Sequence, residues 1–188
     1  ITYDKELMSG VYEARFAVYS ILDEKIKIDI SIMSDSAINN HNAKIVEIDQ
    51  ETVGFSYETQ YISEYGNKTY QIAYRQYSLS AGAWTNTLQV SNDLKHNNYH
   101  QSVVKDSGDT IYIVWLNTQN VNYKGSIKYF ATNTIKLATI SNNTVDTIED
   151  ITTEAQENEY PYILCDLNDN LYILYNKDNK VQYLRQKY

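Results

Sequence analysis

The stretch VVKDSGDTIYIVWLNT, from Val103 to Thr118, contains an apolar strand that ends in aspartate, a short polar turn, and a strand that carries an aromatic residue. The same pattern occurs twice more, as IVEIDQETVGFSYET (Ile45 to Thr59) and ILCDLNDNLYILYNK (Ile163 to Lys177). Three aspartates end the first strands, 57 and 60 residues apart (106 − 49 and 166 − 106): Asp49, Asp106 and Asp166. A repeat of this period indicates a propeller, a solenoid or another array of similar units.

Four strands fit into each unit, because short runs of Ile, Val, Tyr and Thr alternate with clusters of Asn, Asp, Gly and Ser. The predicted first strands are Lys44 to Asp49, Gln101 to Asp106 and Tyr160 to Asp166. The second strands are Val53 to Glu58, Thr110 to Asn117 and Leu171 to Asn176. The third strands are Glu13 to Ser20, Tyr70 to Ser78, Ile127 to Ala131 and Val181 to Arg185. The fourth, more polar strands are Lys25 to Ile32, Trp84 to Ser91 and roughly Thr144 to Ile151.

Both faces of Ile111 to Trp115 are apolar, which is typical of a strand inside a sheet that is covered on each side. Four antiparallel strands in every unit are the pattern of β-propeller blades. The sequence therefore predicts an all-β, partial β-propeller with about three four-stranded antiparallel blades, divided at 1–34, 35–91, 92–152 and 153–188. A flat stack of three sheets or a β-solenoid is the alternative.

The repeat also reaches both ends of the sequence. Ile1 to Lys5 matches Ile173 to Lys177, and Lys180 to Arg185 matches a third strand. Three blades cannot close a ring, so we expect the 188 residues to belong to a longer polypeptide. The expected structural partners are further blades of the same chain or of another chain.

The composition excludes several classes of function. A net charge of −8, with three arginines and no basic cluster, disfavours nucleic-acid binding. No run of eighteen apolar residues is present, so we expect no membrane insertion. The single cysteine, Cys165, lies in an apolar strand and is interpreted as a core residue. The sequence indicates neither a cofactor nor a metal site.

Two segments carry a resemblance to the sialidase-like propellers with bacterial neuraminidase (BNR) repeats. His100 to Asp109 resembles the polar lead-in, apolar strand and Asp-x-x-Gly turn of that family. Ser78 to Trp84 resembles its "Asp box", with Ser80 in place of the aspartate and one residue fewer before the tryptophan. The resemblance implies a propeller fold and a role in glycan chemistry.

Sialidases of this family hold a substrate carboxylate with three arginines, which implies a candidate clamp of Arg15, Arg75 and Arg185. The three arginines do not share one register of the repeat: aligning Tyr77 with Tyr19 leaves Arg75 two residues out of step with Arg15. Surface arginines on third strands are therefore the favoured interpretation, and the carboxylate clamp is the alternative.

A second group of candidate residues lies where a fourth strand connects to the next first strand. These predicted connections line the rim of the central channel, and loops on a rigid scaffold commonly carry binding groups. Amide, imidazole and phenol groups suit a hydroxyl-rich ligand such as a sugar. The candidate ligand-binding residues are His41, His96, Tyr99, His100, Glu159 and Tyr160.

The sequence thus favours a recognition module without catalytic residues, part of a larger extracellular or virion-surface protein such as a phage tail fibre, receptor-binding protein or adhesin. Its expected partner is a glycan or a host-surface receptor. A segment of a sialidase-like glycoside hydrolase and a structural spacer are the alternatives.

Overall fold

The computed structural model describes residues 1–8, 11–32, 39–62, 68–93, 95–119, 122–123, 126–127, 133–152, 158–177 and 180–187. Throughout these ranges the regular structure consists of antiparallel β-strands, and none of them contains a helix. The all-β prediction is confirmed. Strands of β-branched and aromatic residues fit a pleated, half-buried surface, and polar clusters separate them.

Two sheets contain the first half of the chain. The first sheet has the order β1 (Thr2–Met8), β2 (Val11–Ser20) and β3 (Lys25–Ser31). The second sheet has the order β4 (Asn40–Glu47), β5 (Thr52–Ile62), β6 (Lys68–Ser78) and β7 (Ala83–Trp84), and β8 (Leu88–Gln89) also pairs with β6.

Two further sheets follow. The third contains β9 (His96–Lys105) and β10 (Ile111–Gln119), then, after a ribbon of β11 (Asn122–Tyr123) and β12 (Ser126–Ile127), β13 (Asn133–Ser141) and β14 (Thr144–Asp150). Its order is β9-β10-β13-β14. The fourth sheet has the order β15 (Asn158–Cys165), β16 (Asn170–Lys177) and β17 (Lys180–Lys187).

The predicted third strand of the third sheet is wrong. Instead of Ile127 to Ala131, β13 occupies this position and pairs with β10 from Ile111–Ile140 to Thr118–Asn133. Ile127 pairs with Asn122 in the ribbon, and residues 128–131 lie outside the described ranges. The physical reason is burial, because apolar side chains of β13 lie in the cores on both sides of its sheet.

Three apolar cores lie between successive sheets, and each fills the space between two sheet faces. The core between the first and second sheets includes Phe16, Phe55 and Tyr57. The core between the second and third includes Ile72, Tyr74, Ile113 and Trp115. The core between the third and fourth includes Val114, Leu137, Ile163 and Ile173. The sheets are therefore stacked face to face in chain order, as predicted for propeller blades.

The first strands begin earlier than predicted, at Asn40, His96 and Asn158. The predicted rim histidines therefore lie within strands and not in connections. The reason is that the first strand is interrupted and then pairs with the second strand again. Asn40 pairs with Thr59, and Asn98 pairs with Asn117.

Candidate functional site

Each complete first strand is interrupted by a β-bulge at the same place. Two residues of the first strand stand there against one residue of the second strand. The residue that begins each bulge has a positive φ of 50–55°: Asn42, His100 and Tyr160. The residue opposite each bulge is the repeated aromatic: Tyr57, Trp115 and Tyr175.

A bulge redirects side chains, and it often lies next to a functional site. Positive φ is tolerated by asparagine and histidine more readily than by a bulky residue such as Tyr160, where it is strained. The strain is held by the sheets on either side, because the aromatics opposite the bulges lie in the cores: Tyr57 and Trp115 are fully buried, and Tyr175 is half-buried.

Five aromatic rings form a continuous series along the bulged ends of β4, β9 and β15, which we call the ring ladder. The distances between successive ring centroids are 5.0, 5.6, 6.1 and 4.7 Å. In order, the rings belong to His41, Tyr70, Tyr99, His100 and Tyr160. Tyr160 at one end is 59% exposed, whereas His41, Tyr70 and Tyr99 are half-buried.

A pocket of about 490 Å³ lies beside the ladder, where the first strands of the second, third and fourth sheets converge. Its wall includes the bulge residues Asn42, His100 and Tyr160. Of the twelve residues described in this wall, Lys44 and His100 are the ones that can carry charge, and none is acidic. The described wall therefore contains no carboxylate that would repel an anionic ligand at close range.

Glu58 of β5 contacts the bulges of both the second and the third sheets. Its side chain is almost fully buried, and Oε1 accepts hydrogen bonds from the His100 amide at 2.8 Å and from Asn42 Nδ2 at 2.5 Å. Its Oε2 lies 3.3 Å from His41 Nδ1. Gln101 Nε2 donates to the Asn42 carbonyl at 2.5 Å. These contacts join two adjacent sheets at their bulges.

Four of the six predicted rim residues thus meet in the ladder. His96 does not: its ring hydrogen-bonds the Asp93 carboxylate, and its carbonyl accepts a hydrogen bond from Gln71 Nε2 at 3.2 Å. The backbone of Glu159 pairs with Asn176, but its side chain lies outside the described part of the structure.

The structure does not bring the three arginines together at the pocket. Arg15 donates to Glu13 at 2.7 Å and to Asp29 at 2.8 Å, and these hydrogen bonds, Glu13 first, raise the pKa of its guanidinium. Arg185 donates to Asn170 Oδ1 at 3.1 Å. Both guanidinium groups are therefore engaged within their own sheets, and neither lines the pocket.

Arg75 is buried between the first and second sheets. It donates to the carbonyl oxygens of Ile32 at 2.7 Å and Thr85 at 3.0 Å, and it stacks 4.5 Å above the Trp84 ring. Burial lowers the pKa of this guanidinium. Arg75 and Trp84 therefore stabilise an interface between sheets, away from the pocket.

The described ranges contain no group of three or more His, Cys, Asp or Glu side chains placed to hold a metal ion. In the same part of the chain, no helix is long and apolar enough to cross a membrane.

No protein-family model and no curated protein matches the sequence. Solved structures do match. An ulvan lyase from a new polysaccharide lyase family superimposes with a TM-score of 0.65 at 9% identity, over 98% of this chain and 52% of the lyase. The fold is that of a partial β-propeller, shared with this lyase.

Two sialidases show the same fold. A Hadza microbial sialidase matches with a TM-score of 0.65 at 7% identity, over 98% of this chain and 41% of the sialidase. The NanB sialidase from Streptococcus pneumoniae matches with a TM-score of 0.55 at 14% identity, over 92% of this chain and 27% of the enzyme. This partial propeller thus spans about half the length of the ulvan lyase and less of the sialidases.

The sequence analysis did not predict four residues of the site: Asn42, Glu58, Tyr70 and Gln101. Glu58 and Tyr70 lie on strands of the second sheet, and their side chains contact the ladder. One sequence signal was available: an asparagine lies two residues before each bulge residue, at Asn40, Asn98 and Asn158.

Proposed function

We propose that this partial propeller is a glycan-recognition module that binds a sugar at the ring ladder. The observation that carries the proposal is the contact of the ladder with the pocket through His100 and Tyr160. Aromatic rings offer flat apolar faces to the C–H faces of a sugar, and amide and imidazole groups hydrogen-bond its hydroxyl groups.

Gln101 gives independent support. Its side chain is 1% exposed in the pocket wall, and its Oε1 has no hydrogen-bond partner within the described residues. Buried polar atoms are normally satisfied, so a hydroxyl group of a ligand or a bound water would be a favourable donor to this oxygen.

The similar structures widen the range of glycans to be tested. They include sialidases and an ulvan lyase bound to -[GlcA(1-4)Rha3S]-. The three probes are therefore 3′-sialyllactose, a tetrasaccharide of that sulfated repeat, and maltohexaose as a neutral chain. The proposal includes an extracellular or virion-surface location, since accessible glycans occur there.

Calorimetric titration of the three probes tests the proposal. We expect at least one probe to bind, and Tyr99→Ala or His100→Ala to weaken it roughly tenfold through lost ring contacts. Tyr19→Ala is the matched control, because Tyr19 is 47% exposed on the first sheet and lies outside the ladder. Equal affinities for the wild type and both ladder variants would contradict the proposed site.

The two alternatives give different results in the same experiments. A structural spacer would bind none of the probes. A sialidase-like hydrolase would release the fluorophore from a fluorogenic sialoside. The separate engagement of Arg15 and Arg75 within the sheet stack argues against such a clamp, and we expect no turnover.

A further inference from the structure

The bulge amide of the second sheet is bound by a carboxylate of the first sheet. The Asn42 amide donates to Asp4 Oδ1 at 3.0 Å, with Oδ2 at 3.2 Å. Asp4 lies on β1 directly after Tyr3 and pairs with Ala14 of the next strand. The contact therefore joins two successive sheets at the bulge.

The same contact recurs one sheet later. The His100 amide donates to Glu58 Oε1 at 2.8 Å, and Glu58 lies on β5 directly after Tyr57. Glu58 pairs with Ile72, which corresponds to Ala14 when Tyr77 is aligned with Tyr19. Asp4 and Glu58 thus hold equivalent places, and each carboxylate accepts from the bulge amide of the following sheet.

The third interface differs. The residue after Trp115 is Leu116, which is 5% exposed and belongs to the apolar core between the third and fourth sheets. A leucine side chain has no acceptor for the Tyr160 amide at the next bulge. We call the hydrogen bond from a bulge amide to a carboxylate of the preceding sheet a carboxylate latch. Two of the three interfaces carry such a latch, at the bulges of Asn42 and His100.

We propose that Asp4 and Glu58 are positioning residues that fix the ring ladder by latching the bulges of the following sheets. The inference rests on the proposed function, because the ladder is the proposed glycan site. Hydrogen bonds from backbone amides to carboxylates are stronger than those between neutral groups, and they hold the positive-φ backbone of Asn42 and His100 in place. Glu58 also contacts Asn42 and His41, so it sets two bulges at once.

Backbone-amide NMR with two variants of Glu58 tests the latch without any ligand. Glu58→Leu introduces the residue of the third interface and removes the acceptor, so the His100 amide proton should move strongly upfield. Glu58→Gln keeps an amide oxygen as acceptor, so the resonance should move only part of the way. Asp4→Asn should shift the Asn42 amide and leave that of His100 in place.

Affinity for the three glycan probes then links the latch to the site. We expect Glu58→Leu to weaken binding roughly tenfold or more and Glu58→Gln to restore most of it. Ile113→Val, which removes a methyl group from the core, is the control for lost stability and should leave affinity unchanged. If the role of Glu58 were merely structural, both variants would lose stability, but affinity would not fall in Glu58→Leu and recover in Glu58→Gln.

The outcomes separate the two proposals. An unchanged His100 amide in Glu58→Leu, or unchanged affinity while Tyr99→Ala loses binding, would overturn the latch and leave the proposed function standing. Absence of binding by the wild type would overturn the proposed function, whereas the amide resonances decide the latch by themselves.

Discussion

At the scale of single residues, one position of the second strand is tyrosine in two units of the repeat and glycine in the third. Tyr112 and Tyr172 donate from their hydroxyl groups to the turn aspartates Asp106 and Asp166 at 3.0 and 3.1 Å. The second sheet has Gly54 at this register. The ring of Tyr74 fills the space, so the missing side chain is replaced from the neighbouring strand.

Gly54→Ala should therefore destabilise the protein. The added Cβ would lie 2.4 Å from the Tyr74 hydroxyl oxygen, and Tyr74 is fully buried and cannot move freely. We expect a loss of about 1–3 kcal/mol in the free energy of unfolding, measured with urea. Gly108→Ala is the control, because its nearest neighbour would be 3.4 Å away at an exposed turn. Equal stabilities of the two variants would contradict this account of the packing.

The turn aspartate Asp166 makes stability depend on pH. Hydrogen bonds from the Asn170 amide first, and then from the Asn170 side chain, the Asn168 amide and Tyr172, lower the pKa of its carboxyl group from 3.8 to about 2. A lowered folded-state pKa stabilises the fold above the ordinary value, and this stabilisation is lost as the pH falls from about 4 to about 2.

Asp166→Asn should remove this contribution. We expect the unfolding free energy of the variant to fall less steeply than that of the wild type between pH 4 and pH 2, measured by urea unfolding at each pH. Parallel curves over this interval would show that the hydrogen bonds to Asp166 do not couple its protonation to folding.

At the scale of strands, each bulge is preceded by an asparagine, and Asn98 shows its role. Its Oδ1 accepts hydrogen bonds from Trp115 Nε1 at 2.7 Å and from Asn117 Nδ2 at 2.9 Å, while its Nδ2 donates to Gln71 Oε1 at 3.1 Å. Asn98 is fully buried between the second and third sheets. It therefore ties the bulged strand to the aromatic opposite the bulge.

Asn98→Ala should destabilise the fold by about 3 kcal/mol, because it leaves the buried Trp115 indole and Asn117 amide without their acceptor. Urea unfolding measures the loss. Asn92→Ala, at an exposed position before β9, is the matched control and should change stability by less than about 0.5 kcal/mol. A small effect of Asn98→Ala would show that water replaces the lost acceptor.

The strands and hairpins could be predicted because their signals are local. Apolar runs bounded by turn aspartates place the second strands within a few residues of their observed positions. The third strand of the third sheet could not, because Ile127 to Ala131 and Asn133–Ser141 are both built from strand-forming residues. Burial between sheets, which is non-local, selects the second segment.

The candidate site was predicted only in part for a similar reason. Composition indicated that polar and aromatic residues gather near the start of the first strands, and His41, Tyr99, His100 and Tyr160 do meet there. A residue with positive φ at a bulge leaves no recognisable alternation of apolar and polar residues in the sequence. The contributions of Tyr70 and Glu58 depend on that backbone turn and on the neighbouring sheet.

At the scale of the whole molecule, the fourth sheet has one apolar face that the structure leaves exposed. Tyr162 and Tyr183 both pair with Leu174 and are 55% and 71% exposed. Leu164 and Val181 share this face and are 45% and 71% exposed. An exposed apolar patch of this kind favours association.

The isolated 188-residue chain should therefore self-associate as its concentration rises. Val181→Lys combined with Tyr183→Lys places two charges on the exposed face and should shift the weight-average mass toward that of the monomer in sedimentation experiments. Lys substitutions at Ile26 and Tyr19, exposed on the first sheet, provide the control for added charge alone. Identical sedimentation of both variants would exclude the fourth sheet as the associating face.

The most direct test of the glycan site is to map, residue by residue, the NMR chemical-shift changes caused by the three glycan probes. We expect the largest changes to cluster at the ladder and at Gln101 in the pocket wall. Changes confined to Leu164, Val181 and Tyr183 on the exposed face of the fourth sheet, or no changes with any probe, would contradict a binding site at the ring ladder.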